Sequence, residues 1–567
     1  MSLLLLTAKK KFSPYNWFKK GEEGAWYDPS DLTTLFQDSA GTTPVTLSPM
    51  EQPVGLMLDK SKGLVLGSEL VVNGTNPTNT TGWSQAFGLS SLTASNNEFV
   101  AIATVSGQAA AYTISTTIGQ IYKISLTVRC SVSGQNIDFL VGGNPVGGVL
   151  SSLTNTILSG YFTATATSTT ISVRNTSTVG TYYFNNVSVK QIAGNHAFQA
   201  TAGNRPLLSA RVNLLTKTED FSDAVWGRLN ITLGPLTLSP IGTLTGRTIL
   251  GSGTPSVTTN LIYQYITTST INKTFTFSVY LKAGTTSTCT IFCNLAAGAE
   301  RVYSVINLTT EWKQYNIVCP FSINSSDGIL YAHICPGDAI TGLNNGSIEI
   351  WGADLRPTNS GALLPPYQRV NTTTDYDTVG FPLYLKCNGS SSVMATNTID
   401  YTTTNVTKLT IVIGVRSEAG GSRVLLESSN RVDANSGGYS FGQGLVTGFA
   451  GLGYLGNGPI YYGAETAPLT VPYINVSSLL LDEQTTSLAT RGKLRINNVE
   501  QNFPNIFSSV SSAGSIANYQ LNLFGRNGSA YVLNGYFYGA IIRGAQSDTN
   551  SVVQTENYMA KQTGITF

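Results

Sequence analysis

Charge is what this 567-residue sequence has least of: Asp, Glu, Lys and Arg make up 11% of it, against about a quarter in an average globular chain. The formal net charge is +2, and basic residues cluster only at Lys9-Lys10-Lys11 and Lys19-Lys20. No field of that size holds nucleic acid. Two histidines and six cysteines, with no Cys-x-x-Cys pair, argue against a zinc site. No apolar run is long enough to cross a bilayer, and Leu3 to Leu6 is followed by its lysines, the reverse of a secretory leader. The expectation is therefore no membrane insertion, no cleaved leader, no cofactor and no metal.

What fills the sequence instead is Ser, Thr, Asn, Gln and Gly around a strict two-residue alternation. Tyr122-Lys123-Ile124-Ser125-Leu126-Thr127-Val128 and Phe275-Thr276-Phe277-Ser278-Val279-Tyr280-Leu281 are the patterns of half-buried strands. Gly- and Asn-rich turns separate such runs at short intervals, and helical periodicity is nearly confined to the ends. The fold class expected is all-β, with tandem jelly-roll or β-sandwich modules, an extended N-terminal segment and a short C-terminal helix.

Two segments read as divergent copies of one plan. The first begins near Gly67 with GSELVVNG and Trp83, and closes through GYFTATATSTTISVR and YYFNNVSVK. The second begins at Asn213 with NLLTKTEDFSDAVWGR, and closes through EWKQYNIVCPFSI and GSIEIWGADLRP. Each has an early Trp, a central strand after a Thr/Ser-rich approach and a final aromatic strand. The organisation expected is an N-terminal segment over 1–66, jelly rolls over 67–192 and 213–370 joined by a linker over 193–212 that packs on a neighbour, and a third sandwich over 371–567. In its tail, Asp548 is placed to cap a helix running to about Ala560.

Candidate chemistry is sparse. The stretch GAWYDPSDLTTLFQDSAGTTPV (24–45) sets Asp28, Asp31 and Asp38 beside Trp26 and Tyr27, the residue types of a sugar-cleaving site. The same residues make a short capped turn, with Pro29 fixing φ and Asp31 or Ser30 accepting backbone N–H groups, and this is the reading preferred. Asp375 and Asp377 fall on a connection between modules, and Asp482 and Glu483 in a polar loop; none forms a carboxylate pair along one strand. His196, in the linker, reads as a hydrogen-bonding surface residue, and His333 as one residue of an alternating strand. Cys289 and Cys293 share a strand face and could meet Cys319 and Cys335 within one sandwich, with buried free thiols favoured over disulfides. No catalytic residue and no enzymatic activity are expected. For neutral glycans the densest aromatic and amide cluster is GLGYLGNGPIYYGAE, which nominates Tyr454, Asn457, Tyr461 and Tyr462 as a contact loop.

GAWYDPSDLTTLFQDSAGTTPV with PVGLMLDKSKG, the YYFNNVSVKQIAGNHAFQATAGNRP junction, NLLTKTEDFSDAVW, and IEIWGADLRP before YQRV and DYDTVGFPLYLKCNG together resemble tailed-bacteriophage and prophage virion structural proteins. The resemblance covers nearly the whole chain from Gly24. It implies a short particle-associated segment, carbohydrate-binding-module-like jelly rolls and a C-terminal concanavalin A or laminin-G-like sandwich. Asn185 stands where similar modules usually carry Asp, which argues against an inherited calcium site. The function implied is a tail-associated fibre that binds host surface glycans, with a capsid decoration or head-fibre protein as the alternative and a glycan depolymerase third. On this view Trp26, Tyr27, Asp28 and Asp31 anchor the chain to another virion protein, the protein is a homo-oligomer with a trimer as first choice, and it sits on the exterior of the particle.

Overall fold

In the computed structural model the described residues are 13–567, apart from 178, 271–272, 296–298, 325–326, 359–365, 420, 430–436, 444–448, 456–460, 469–471, 486–490, 503–504, 508–514 and 529. For the strand residues 443, 449–455, 461–468 and 505–507 the backbone alone is described.

Alternation dictates the sheets. In Ile121–Cys130 and Lys273–Ala283 the apolar residues point to one face, and pairing those faces in antiparallel sheets buries Phe99, Ile124, Phe139 and Phe184 in one core and Phe275, Phe277, Ile291 and Leu355 in another. Each core lies between two five-stranded sheets. With the ten strands of each sandwich numbered in chain order, from Trp83–Ala86 and from Gly227–Leu229, both have one sheet ordered first, fourth, ninth, sixth, seventh and the other second, third, tenth, fifth, eighth. The repeated plan legible in the landmarks is thus a repeated topology. The early Trp of each copy is buried, Trp83 against Phe99 and Phe184, and Trp226 against Phe221.

The third sandwich has a nine-stranded and a ten-stranded sheet and draws strands from three distant parts of the chain. In the nine-stranded sheet Gly24–Tyr27 pairs with Asn534–Arg543, and Gln52–Pro53, Leu207–Ser209 and Tyr384–Asn388 lie in that order beside it. In the ten-stranded sheet Leu35–Phe36, Leu56–Met57, Ala197–Phe198 and Met394–Thr398 follow one another. Its core accordingly mixes Tyr27, Leu35, Val54, Met57, Ala197 and Leu208 with Ile411, Leu479, Leu523 and Phe537. The two jelly rolls are therefore excursions from a hub to which the chain returns after each.

This departs from the expectation of an extended segment over 1–66, and the linker over 193–212 does more than pack on a neighbour, since it supplies strands to both hub sheets. The strands concerned are two to four residues long, too short to show alternation, and they are punctuated by prolines. Pro53 is tolerated because its strand is at the sheet edge.

Helix α1 (Thr549–Thr563) starts as the sequence indicates, with Asp548 accepting from Ser551 N–H at 2.9 Å, and it runs three residues past Ala560 before Gly564 ends it at φ 75°. Val552, Met559 and Ala560 pack on the outside of the nine-stranded sheet against Val412, Val476 and Ile541. Strand Lys408–Ser417 is consequently buried on both faces. All six cysteines are buried free thiols.

Candidate functional site

The nominated residues fall in three places. Tyr454 and Tyr462 are direct partners in the hairpin of Phe449–Leu455 and Tyr461–Pro468, with Tyr461 opposite Leu455, so these tyrosines belong to strands rather than to a loop. Asn457 lies outside the described residues. Trp26 and Tyr27 are inside the hub: Tyr27 is fully buried and its hydroxyl donates to Asn195 O at 2.5 Å, while Trp26 lies edge-on to Tyr558 of α1 with Lys60 Nζ 4.3 Å above its ring. Asp28 and Asp31 each hold Lys60 Nζ at 2.8 Å. Asp31 caps the turn Leu32–Thr34; burial works against its charge, but the Lys60 and Thr33 bonds keep its pKa below the ordinary value. Trp26 against Tyr558 ties the first described residues to α1, while Tyr27 and the carboxylates of Asp28 and Asp31 are taken up by Asn195 and Lys60, so the anchoring role expected of Trp26 and Tyr27 has no exposed ring to act through. His196 is likewise buried rather than superficial, with Nδ1 accepting from Asp59 N–H at 2.9 Å.

Aromatic side chains do converge, and they do so on the second sandwich. Within Leu261–Thr267, Ile329–Pro336, Thr288–Leu295 and Arg301–Asn307, alternate residues such as Ile262, Ile334, Ile291 and Ile306 point into the core, so their neighbours point outward. Register places Tyr263 opposite His333, His333 opposite Phe292, and Phe292 opposite Tyr303. A second row two residues further on runs Tyr265, Tyr331, Asn294, Arg301. The rings interlock: Phe292 and His333 stack 4.4 Å apart, Tyr263 and His333 at 5.3 Å, and Tyr265 and Tyr331 at 5.7 Å.

The two rows form a floor and a rim. Phe292 and His333 are buried, whereas Tyr265 and Tyr303 are 54% and 49% exposed. Tyr263, Tyr331, Asn294 and Arg301 are half-buried. Burial, with the Arg301 charge adding to it, pushes the His333 pKa down to about 3, so the floor is neutral in ordinary buffers. Desolvation and then the Asp327 carboxylate raise Tyr331, so its phenol also stays protonated. Gly227, across from Tyr263, leaves that ring its place: a Cβ there would lie 2.3 Å from Tyr263 Cζ. Flat rings bordered by phenol, amide and guanidinium donors suit the apolar face and hydroxyl edge of a sugar.

The equivalent sheet of the first sandwich is different. Its outward rows run Ala111, Ser172, Leu140, Pro145 and Ala109, Arg174, Asp138, Val149, and Arg174 and Asp138 are bidentate partners. Small side chains there leave a depression of about 460 Å³ beside Phe87, which is 71% exposed. Asn185 sits on the opposite sheet; its Nδ2 donates to Asn97 O at 3.3 Å. Among the described residues no group of three or more His, Cys, Asp or Glu is arranged to hold a metal ion.

The aromatic face is not legible in the sequence, although each of its rings stands at an alternate strand position. The missing information was which four strands are neighbours, which only the jelly-roll order supplies.

No family model matches this chain, and no curated protein matches it. Among solved structures, it is similar to the N-terminal CBM22-1-CBM22-2 tandem domain from Paenibacillus barcinonensis Xyn10C, at 13% identity over 52% of this chain and 98% of that one, with a TM-score of 0.21. The Ruminococcus gnavus IT-sialidase CBM40 bound to α2,3 sialyllactose matches at 18% identity over 27% of this chain and 85% of that one, with a TM-score of 0.22. The enzymatically active domain of bacteriophage CBA120 tailspike protein 4 matches at 14% identity over 26% of this chain and 22% of that one, with a TM-score of 0.19. Likenesses at this level define neither a ligand nor an activity for the chain.

Proposed function

We propose that the protein is a non-enzymatic glycan-binding component on the exterior of a tailed-phage virion, and that the outward face of its second sandwich binds a neutral saccharide. The observation that carries the reading is the double row Tyr263-His333-Phe292-Tyr303 and Tyr265-Tyr331-Asn294-Arg301, with two rings about half exposed at its edge. Rings grouped along one outward sheet face, rather than scattered singly, offer a stacking surface of the kind sugars use. The virion assignment is supported by the resemblance of the segments from Gly24 onward to phage structural proteins. A tail fibre remains the first reading, as an oligomer, and a trimer would turn weak single contacts into firm adsorption.

The test is binding of the full chain to an array of neutral oligosaccharides, repeated with Tyr265→Ala/Tyr303→Ala. Retention of at least one neutral glycan, lost in the double variant at unchanged thermal stability, is the expected result. Equal binding by both proteins would remove the face from consideration. Gold-labelled antibody on intact particles, and light scattering of the purified chain, test the location and the oligomer.

A further inference from the structure

A second place on the molecule is built for a ligand of different charge. Where the second sandwich meets the hub there is a cavity of about 590 Å³, within the range of small-ligand sites. Arg356 lines it from the sandwich, Arg211 from the segment leading into that sandwich, Arg416, Tyr536 and Tyr538 from the hub, and Lys561 from the last turn of α1. Among the described residues four cations and no carboxylate line this wall, in a chain where bases and acids number 33 and 31.

The donors of this wall are incompletely used. Arg356 is held by Asp354 and by Pro366 O at 2.9 Å, and Arg211 Nε and Nη2 donate to Asn213 O and Leu214 O, each at 2.8 Å. These bonds orient the two guanidinium groups from behind. Arg416 donates through Nε to Glu418 Oε1 at 2.5 Å, but its Nη2, on a residue 9% exposed, is buried and has no acceptor among the described residues. A buried charged donor without an acceptor is costly. Lys561 makes no ion pair, and the Tyr536 and Tyr538 hydroxyls no hydrogen bond, with any described residue. Pro357, Phe381 and Pro382 supply apolar surface between them.

Cationic and phenolic donors lacking acceptors, arranged around apolar surface in a cavity the size of one or two sugar rings, call for an anion carried on a ring. We propose that this cavity binds an anionic saccharide unit, a sugar bearing a carboxylate or a phosphate, with the anion on the Arg416–Lys561 side and the sugar hydroxyls on Tyr536 and Tyr538. The proposal is independent of the neutral-glycan reading of the aromatic face, because no residue is shared between the two sites.

The test is calorimetric titration of the full chain with galacturonate trisaccharide and, separately, with glucose 6-phosphate, at low ionic strength. Binding of either is expected, weakened tenfold or more by Lys561→Glu and several-fold by Tyr536→Phe/Tyr538→Phe, with inorganic phosphate competing; whichever ligand binds more tightly identifies the anion. Lys561 lies in the last turn of α1 and has no ion-pair partner among the described residues, and the Phe variants keep the rings, so melting curves should match those of the unmodified chain. Failure of both anionic sugars to bind, or binding undiminished in variants that fold normally, would overturn the proposal.

Discussion

Glu22 and Arg543, 521 residues apart in the sequence, form a two-pronged ion pair with N–O distances of 2.6 and 2.7 Å, both side chains 6% exposed. Trp17 lies against the same guanidinium, 5.2 Å from its carbon, and the strand Gly24–Tyr27 follows directly. The beginning and the end of the described chain are thus one packing unit, and the mid-chain strands Ala197–Phe198 and Leu207–Ser209 belong to it.

Removal of residues 1–63 is therefore expected to unfold the hub rather than to release a docking peptide. Calorimetry should show the hub transition lost or lowered by more than ten degrees while the jelly-roll transitions persist. The single change Arg543→Ala, which strands a buried carboxylate, should cost about 3 kcal/mol. A hub that melted normally without its first 63 residues would contradict the shared core.

The two layers of the aromatic face should respond differently to truncation. Phe292→Ala removes a fully buried ring and should cost about 3 to 5 kcal/mol in urea unfolding. Tyr265→Ala, at a rim position, should change stability by less than about 0.5 kcal/mol. Similar losses at both positions would mean that the rim ring is structural.

Acid should weaken the fold through its histidines. Burial lowers the pKa of His333, with Arg301 reinforcing it, and burial lowers His196 against the opposing pull of Asp59. In the unfolded chain both titrate near about 6.5. As the pH falls below that value the unfolded state takes up protons that the folded state refuses, and stability declines towards the folded value of about 3 for His333. For His333 the slope should approach roughly 1.4 kcal/mol per pH unit, and His196 should add to it in the same direction. His333→Phe should remove one proton from this dependence between pH 6 and 4.5; an unchanged slope would show that His333 is protonated in the fold.

The six thiols should be silent in the native protein. All are buried, and burial raises Cys289 and Cys293 and takes Cys335 up to about 12. A colorimetric thiol reagent should find none before denaturant and six after it. Fewer than six under denaturing, non-reducing conditions would reveal a disulfide.

By itself the sequence determined whatever depends on near neighbours. Two-residue alternation fixes strands and which side chains face inward, a recurring order of landmarks marks the duplicated jelly roll, and Asp548 starts the final helix, because strand faces and helix caps are set within a few residues. Tertiary structure alone decided what depends on distant ones. Gly24–Tyr27 and Leu207–Ser209 are strands only because a hub edge is there to receive them, and Trp26 and Tyr27, which look like exposed anchors in sequence, are buried because Asn534–Arg543 and α1 close over them. The aromatic face and the cationic cavity arise the same way: each collects residues from four or more segments, and no local pattern encodes which segments meet, since that is settled by burial of the shared cores.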